Sequence, residues 1–213
     1  LSAGPAEIGT VIHSSGSTDI IAAACYNESC KRRENVIYSG DRIITMPSSK
    51  ARILLNDGTG IEITGSSDFI IGNIRQKEKD PPSSIRAHYG TFTITQNNRF
   101  TDTSLTFKTE TALIKSVNAS LYIIAAKEET AVMVYRSRAG AASTDPSIKT
   151  AYILAEGEQT YILMDHSPDS PYKVDTLLRG SWLTKHHLSK DLSRIISRSQ
   201  DSSIIDWIFR NRD

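Results

Sequence analysis

The residues of this chain best suited to chemistry are two cysteines, five histidines and a few closely spaced carboxylates. Cys25 and Cys30 enclose Tyr26-Asn27-Glu28-Ser29. Two thiolates alone do not make a zinc site, which wants about four ligands, and no C-x-x-C or nearby histidine pair completes one. A redox-active pair usually has about two residues between its cysteines. The states that remain are a small disulfide across a hairpin tip, the preferred reading, and two free thiols. A loop this short adds only about 2 kcal/mol in the chain-entropy picture, but a disulfide would place the protein in an oxidising compartment. His13, His88 and His166 are scattered along the chain. His186 and His187 are adjacent, and neighbours on a helix or strand do not share a face, so they make a poor bidentate site. Asn56-Asp57-Gly58 superficially resembles a calcium loop without the carboxylate spacing one requires. Asp165 and Asp169 are the nearest approach to a glycosidase pair, and Glu128-Glu129 reads as a turn between strands. No G-x-S-x-G, P-loop, H-E-x-x-H or G-x-G-x-x-G pattern occurs. The sequence supports neither an enzyme nor a cofactor or metal site.

The elements that would position these residues are short β-branched runs. Val36 to Thr64 holds the clearest set, broken by the turn signals Ser39-Gly40-Asp41, Met46-Pro47-Ser48-Ser49 and Asn56-Asp57-Gly58. Asp57-Gly58 between apolar runs predicts a hairpin with a type I′ turn. Beyond it Ile61 and Ile63 alternate with Glu62 and Thr64, the period of a half-buried strand. Further strands are expected at Ile8 to Ser14, Asp19 to Cys25, Cys30 to Tyr38 and Ser67 to Ile74. After them come Ser84 to Tyr89, with Gly90 as a turn or bulge, and Thr91 to Thr95. The later part of the chain adds Leu105 to Thr109, Ala112 to Val117, Ser120 to Ala125, Thr130 to Arg136, Thr150 to Leu154 and Gln159 to Met164. Two loops are expected between them, the charged Lys77 to Pro82 and the small, polar Ala139 to Ser147. Such spacing without intervening helices excludes a doubly wound α/β fold. From Leu188 the pattern changes. Leu192, Ile195, Ile196, Ile204, Ile205, Ile208 and Phe209 follow helical spacing, which predicts one or two amphipathic helices.

Composition sets the outer bounds. With 213 residues the chain can bury a real core. Its 25 basic and 24 acidic residues leave a formal charge of +1, so no global field draws it to nucleic acid or anionic lipid. Lys31-Arg32-Arg33 reads as a solvated basic face. No apolar run approaches the roughly 20 residues of a membrane span. The chain opens Leu1-Ser2-Ala3-Gly4-Pro5, which we take as a mature or trimmed form whose anchor, if one existed, has been removed.

The order of these signals resembles the FecR domain family of bacterial envelope proteins. Gly40-Asp41-Arg42-Ile43-Ile44-Thr45 is similar to the family's Gly-Asp-x-Ile-x-Thr strand start. Ala51-Arg52-Ile53-Leu54-Leu55 and Asp57-Gly58-Thr59 correspond to its apolar strand and following Asp-Gly-Ser/Thr. Tyr89-Gly90-Thr91-Phe92, Phe107-Lys108-Thr109 and Leu154-Ala155-Glu156-Gly157-Glu158 fit its later segments, so the likeness runs from about Ile8 to Leu163. The resemblance makes Gly40, Asp41, Thr45, Asp57 and Gly58 structural motif residues, and it implies a periplasmic or extracellular location.

The expected architecture is mainly β, with two packed sheets forming a roll or short solenoid-like stack over residues 1–165 and a C-terminal helical segment over 166–213. The expected function is a non-catalytic envelope interaction module that binds a protein partner or a cell-wall glycan through an edge strand, a polar sheet face or the two loops. Membrane contact would come only through a removed anchor or the C-terminal helix. The first alternative is the periplasmic sensing domain of a transmembrane sigma-factor regulator of the iron-uptake type. The second is a carbohydrate-active β enzyme.

Overall fold

A computed structural model describes residues 5–23, 30–32, 34–75, 80–96 and 104–174. The expected C-terminal helices lie outside these residues, as do Cys25 and the first half, 77–79, of the Lys77 to Pro82 loop.

The described residues form fourteen strands in one continuous sheet. They are β1 (Glu7–Ser15), β2 (Thr18–Ile21), β3 (Val36–Tyr38), β4 (Arg42–Thr45), β5 (Lys50–Leu55), β6 (Thr59–Thr64) and β7 (Ser67–Ile71). There follow β8 (Ser83–Gln96), β9 (Ser104–Lys108), β10 (Ala112–Ala125), β11 (Glu129–Ser143), β12 (Ala151–Leu154), β13 (Glu158–Leu163) and β14 (Tyr172–Lys173). All pairings are antiparallel except β8 with β9, which run parallel from Ser83↔Leu105 to Arg86↔Lys108.

Three long strands fold this sheet into two layers. The second half of β8 lies between β6 and β10, while its first half lies between β7 and β9. In the same way β10 pairs with β9 over Leu113–Val117 and with β8 over Ser120–Ala125. Early β11 meets β13, and its later part meets β12. One layer is therefore ordered β3-β1-β5-β6-β8-β10-β11-β13-β14, and the other β2-β4-β7-β8-β9-β10-β11-β12. The two packed sheets expected from sequence are halves of a single ladder.

Each crossing strand bends where its backbone leaves ordinary β geometry. In β8 a bulge sets Asp68 against Tyr89 but Phe69 against Ala87, and Gly90 follows at φ 143°. A Cβ there would sit 2.4 Å from Ser67 Oγ and 2.7 Å from Phe92 Cζ, so only glycine fits the bend. In β10 and β11 the register slips between Val117 and Ser120, with Asn118 at φ 49° facing Ser137 at φ 69°. Asparagine is among the few residues with a Cβ that adopt that conformation readily. Sequence spacing splits β8 and β10 in two at these points; the chain instead bends through them.

The core fills the space between the layers. Ile8, Ile37, Ile53, Ile61 and Ile63 pack from one layer, and Ile43, Ile71, Ile85 and Leu105 from the other. Phe92 bridges them, with ring centroids 5.3 Å from Phe69 and 5.3 Å from Phe107, both edge-on.

Two local expectations are corrected. The Asn56–Gly58 hairpin is not type I′, because positive φ is confined to Gly58 at 89°. Gly58 N–H donates to Leu55 O at 2.9 Å and the strands resume at Leu54↔Gly60, a three-residue loop with its glycine in the left-handed region. The second correction concerns Ala139 to Ser147. Its first five residues belong to β11, with Ala139 to Ala142 paired to β10 on one side and β12 on the other. Alanine and glycine look loop-like in sequence, yet here they are in-register strand residues, with Ala139 and Ala141 buried.

Gly90→Ala should lower unfolding free energy by about 3 kcal/mol, through a side chain forced onto positive φ and into Phe92. Chemical denaturation read by circular dichroism checks this; an unchanged midpoint would mean that the bend tolerates a Cβ.

Candidate functional site

The motif residues build two clamps at one pole of the molecule. Asp41 is fully buried, so its charge needs partners close by. Arg32 supplies two bonds, Nε to Oδ2 at 2.6 Å and Nη2 to Oδ1 at 2.9 Å. The amides of Tyr38 and Ala23 donate at 2.9 and 3.2 Å. The Asp41 bond raises the Arg32 guanidinium above its ordinary value and keeps it charged. Arg32 also lies 4.3 Å from the Tyr38 ring centroid. Gly40, at φ 85°, closes the turn that places Asp41, and its amide donates to Ile71 O at 2.8 Å. One carboxylate thus ties together both flanks of residues 24–29 and the start of β4.

Asp57 makes the second clamp. Its Oδ1 accepts from Thr59 N at 2.8 Å, and its Oδ2 accepts from Ser83 Oγ at 2.9 Å. Ser83 Oγ in turn accepts the Arg75 amide at 3.0 Å. The hairpin turn therefore fastens both flanks of residues 76–79. Thr45 plays a similar part further along, its hydroxyl donating to Gly65 O. Gln96, opposite Thr59, accepts from Ser116 Oγ at 2.7 Å and Ala119 N at 3.2 Å where β8 ends. These residues hold structure, and none presents a reactive group to solvent.

The other chemical candidates do not converge. His88 Nδ1 lies 2.9 Å from Glu110 Oε1 beside Arg86, His166 caps a turn through Met164 O at 2.7 Å, and His13 is exposed in β1. Asp165 sits in a turn at φ 58°. His186 and His187 lie outside the described residues, among which no group of three or more His, Cys, Asp or Glu could hold a metal. Also among the described residues, no cysteine is a free thiol.

The ends of both layers are edge strands, and β12 is one of them. Among the described residues β12 pairs only with β11, so its far side offers unpaired backbone groups. Ile153 on this strand is 73% exposed, the most exposed large apolar side chain described. It stands opposite Gly140, which has no side chain to cover it. Sequence spacing recognises the strand but not its exposure. Tyr152-Ile153-Leu154 carries a hint, since a run of three apolar residues in a strand sends at least one outward.

No family model matches the chain, and no curated protein matches it. Two crystal structures share its fold, each of a "putative anti-sigma factor" from Parabacteroides distasonis ATCC 8503. Their TM-scores are both 0.53, with sequence identities of 15% and 16%, over 68% of this chain. The match spans 64% and 65% of those chains, just under two-thirds of their length.

Asp41→Asn should cost about 3 kcal/mol, because the amide turns a donor toward groups that all donate and leaves Arg32 without its counter-charge. Thermal melting checks this; a loss under about 1 kcal/mol would mean that the clamp is replaceable by water.

Proposed function

We propose that this chain is the non-catalytic sensing domain of a FecR-like sigma-factor regulator, working in the bacterial envelope and binding a protein partner along the open edge of β12. The observation that carries the binding mode is the unpaired β12 edge with Ile153 exposed upon it. Such an edge binds by main-chain pairing and takes its specificity from alternate side chains. The regulatory reading is supported by the shared fold with the anti-sigma factor structures. It is also supported by the position of Gly40-Asp41 and Asp57-Gly58, the FecR-like pairs, at the two clamps. An oxidising location goes with a Cys25–Cys30 disulfide, which is supported by the absence of free thiols among the described residues.

Ile153→Lys should reduce photo-cross-linking from β12 to the partner, and change sigma-dependent reporter output, at least about tenfold with no change in melting temperature. Unchanged cross-linking and output would end the edge-pairing proposal. Competition by peptidoglycan fragments would instead favour a cell-wall ligand. Thiol titration of the unfolded chain should find no reactive cysteine before reduction and both of its 2 cysteines after it; reactive thiols before reduction would remove the disulfide and the argument for location built on it.

A further inference from the structure

The first layer carries a second apolar surface on the face turned away from the core. Ile124, Ala131 and Tyr161 form a cluster there with Ala126, and Tyr122 and Tyr172 pack against it. The registers Tyr122↔Met133, Met133↔Gln159 and Gln159↔Tyr172 make one row across β10, β11, β13 and β14, and Ile124↔Ala131 and Ala131↔Tyr161 make the row beside it on the same face. Tyr135 extends the row, its ring centroid 6.3 Å from that of Tyr122. Burial pushes the Tyr161 and Tyr172 hydroxyls above the ordinary phenol value.

This face is where the described chain ends. Tyr172 stacks on Tyr161 at 6.5 Å and 18°, and two residues later the Val174 amide donates to Gly157 O at 2.9 Å. Residues 175–213 follow from that rim, carrying the apolar positions Leu192, Ile195, Ile196, Ile204, Ile205 and Ile208 at helical spacing. Four neighbouring strands make a face about 15 Å wide, enough to seat one helix about 10 Å across.

We infer that the tyrosine face of β10–β11–β13–β14 is the docking site of this chain's own segment 175–213, which lays its apolar stripe across Tyr122, Met133 and Tyr135. The occupant is fixed by connectivity. The segment starts at the rim of the face, so its local concentration there is in the millimolar range and exceeds that of any free partner. The contact is separate from the β12 edge, which belongs to the other layer, and it holds whatever partner that edge takes.

The sequence provides its own probe, because both tryptophans, Trp182 and Trp207, lie in the segment. In the full chain, indole emission should be blue-shifted, and its acrylamide quenching at least about threefold weaker than for the free peptide 175–213. Tyr135→Asp or Ile208→Asp should abolish that protection while the β-sheet circular dichroism persists. Ile208→Asp lies outside the fourteen described strands, so it keeps the test valid if Tyr135→Asp unfolds the protein. Fully quenchable tryptophans in the full chain, or protection unmoved by both substitutions, would overturn the inference. Protection lost on dilution would also overturn it and identify a second copy as the occupant.

Discussion

Three strands must belong to two layers at once, and the rest of the molecule follows from that constraint. A strand that crosses between packed layers has to turn sharply without losing its ladder, since any amide left unpaired in the core is costly. β8 manages this with a bulge and Gly90, and β10 and β11 with the facing pair Asn118 and Ser137. The side chains that meet behind these bends, Phe69, Phe92 and Phe107, come from both layers. Bend and core therefore depend on each other: without the bends the three rings cannot meet, and without the rings the bends have nothing to pack upon.

The buried carboxylates show a second use of polarity in an apolar fold. Asp41 and Asp57 are as buried as the isoleucines around them, yet each combines a bond to an amide of its own turn with bonds to a distant segment, Ala23 and Arg32 for Asp41 and Ser83 for Asp57. Each joins an irregular segment to the sheet, a task for which apolar contact is too unspecific. Such groups are strongly position-dependent, because a half-satisfied carboxylate in a core is worse than none. Their reach explains why the Gly-Asp and Asp-Gly pairs stand out in the sequence while offering no surface for chemistry.

Much of the fold was legible in the sequence. Alternation at Ile61 and Ile63, turn residues at Ser39–Gly40 and Asn56–Gly58, and the absence of helical period before Leu188 all point to short antiparallel strands. Periodicity ran out where strands cross layers. Gly90 and Asn118-Ala119 look like ends of elements because local sequence cannot distinguish a bend from a stop. Ala139 to Ser143 was misread for a related reason, since small residues serve loops and tight strand packing alike. The site was less legible than the fold. Asp41 and Asp57 were visible as motif residues, but their partners Arg32 and Ser83 are fixed by tertiary contact and have no local signal. The exposure of Ile153 depends on β12 being an edge, which only topology decides.

The parallel pairing of β8 with β9 carries a kinetic consequence. Parallel neighbours need a long connection, and here the connection is largely the second half of β8 itself, laid into the opposite layer. β9 has no complete slot until β8 has bent and the first half of β10 has come alongside, because it pairs with both. Its seating needs that slot. A chain that also pairs strands as far apart in sequence as β1 and β5 belongs with the slow-folding all-β domains, on the order of milliseconds to seconds. Until that step the Phe107 side of the core stands open to solvent, and the interval is one in which aggregation competes with folding.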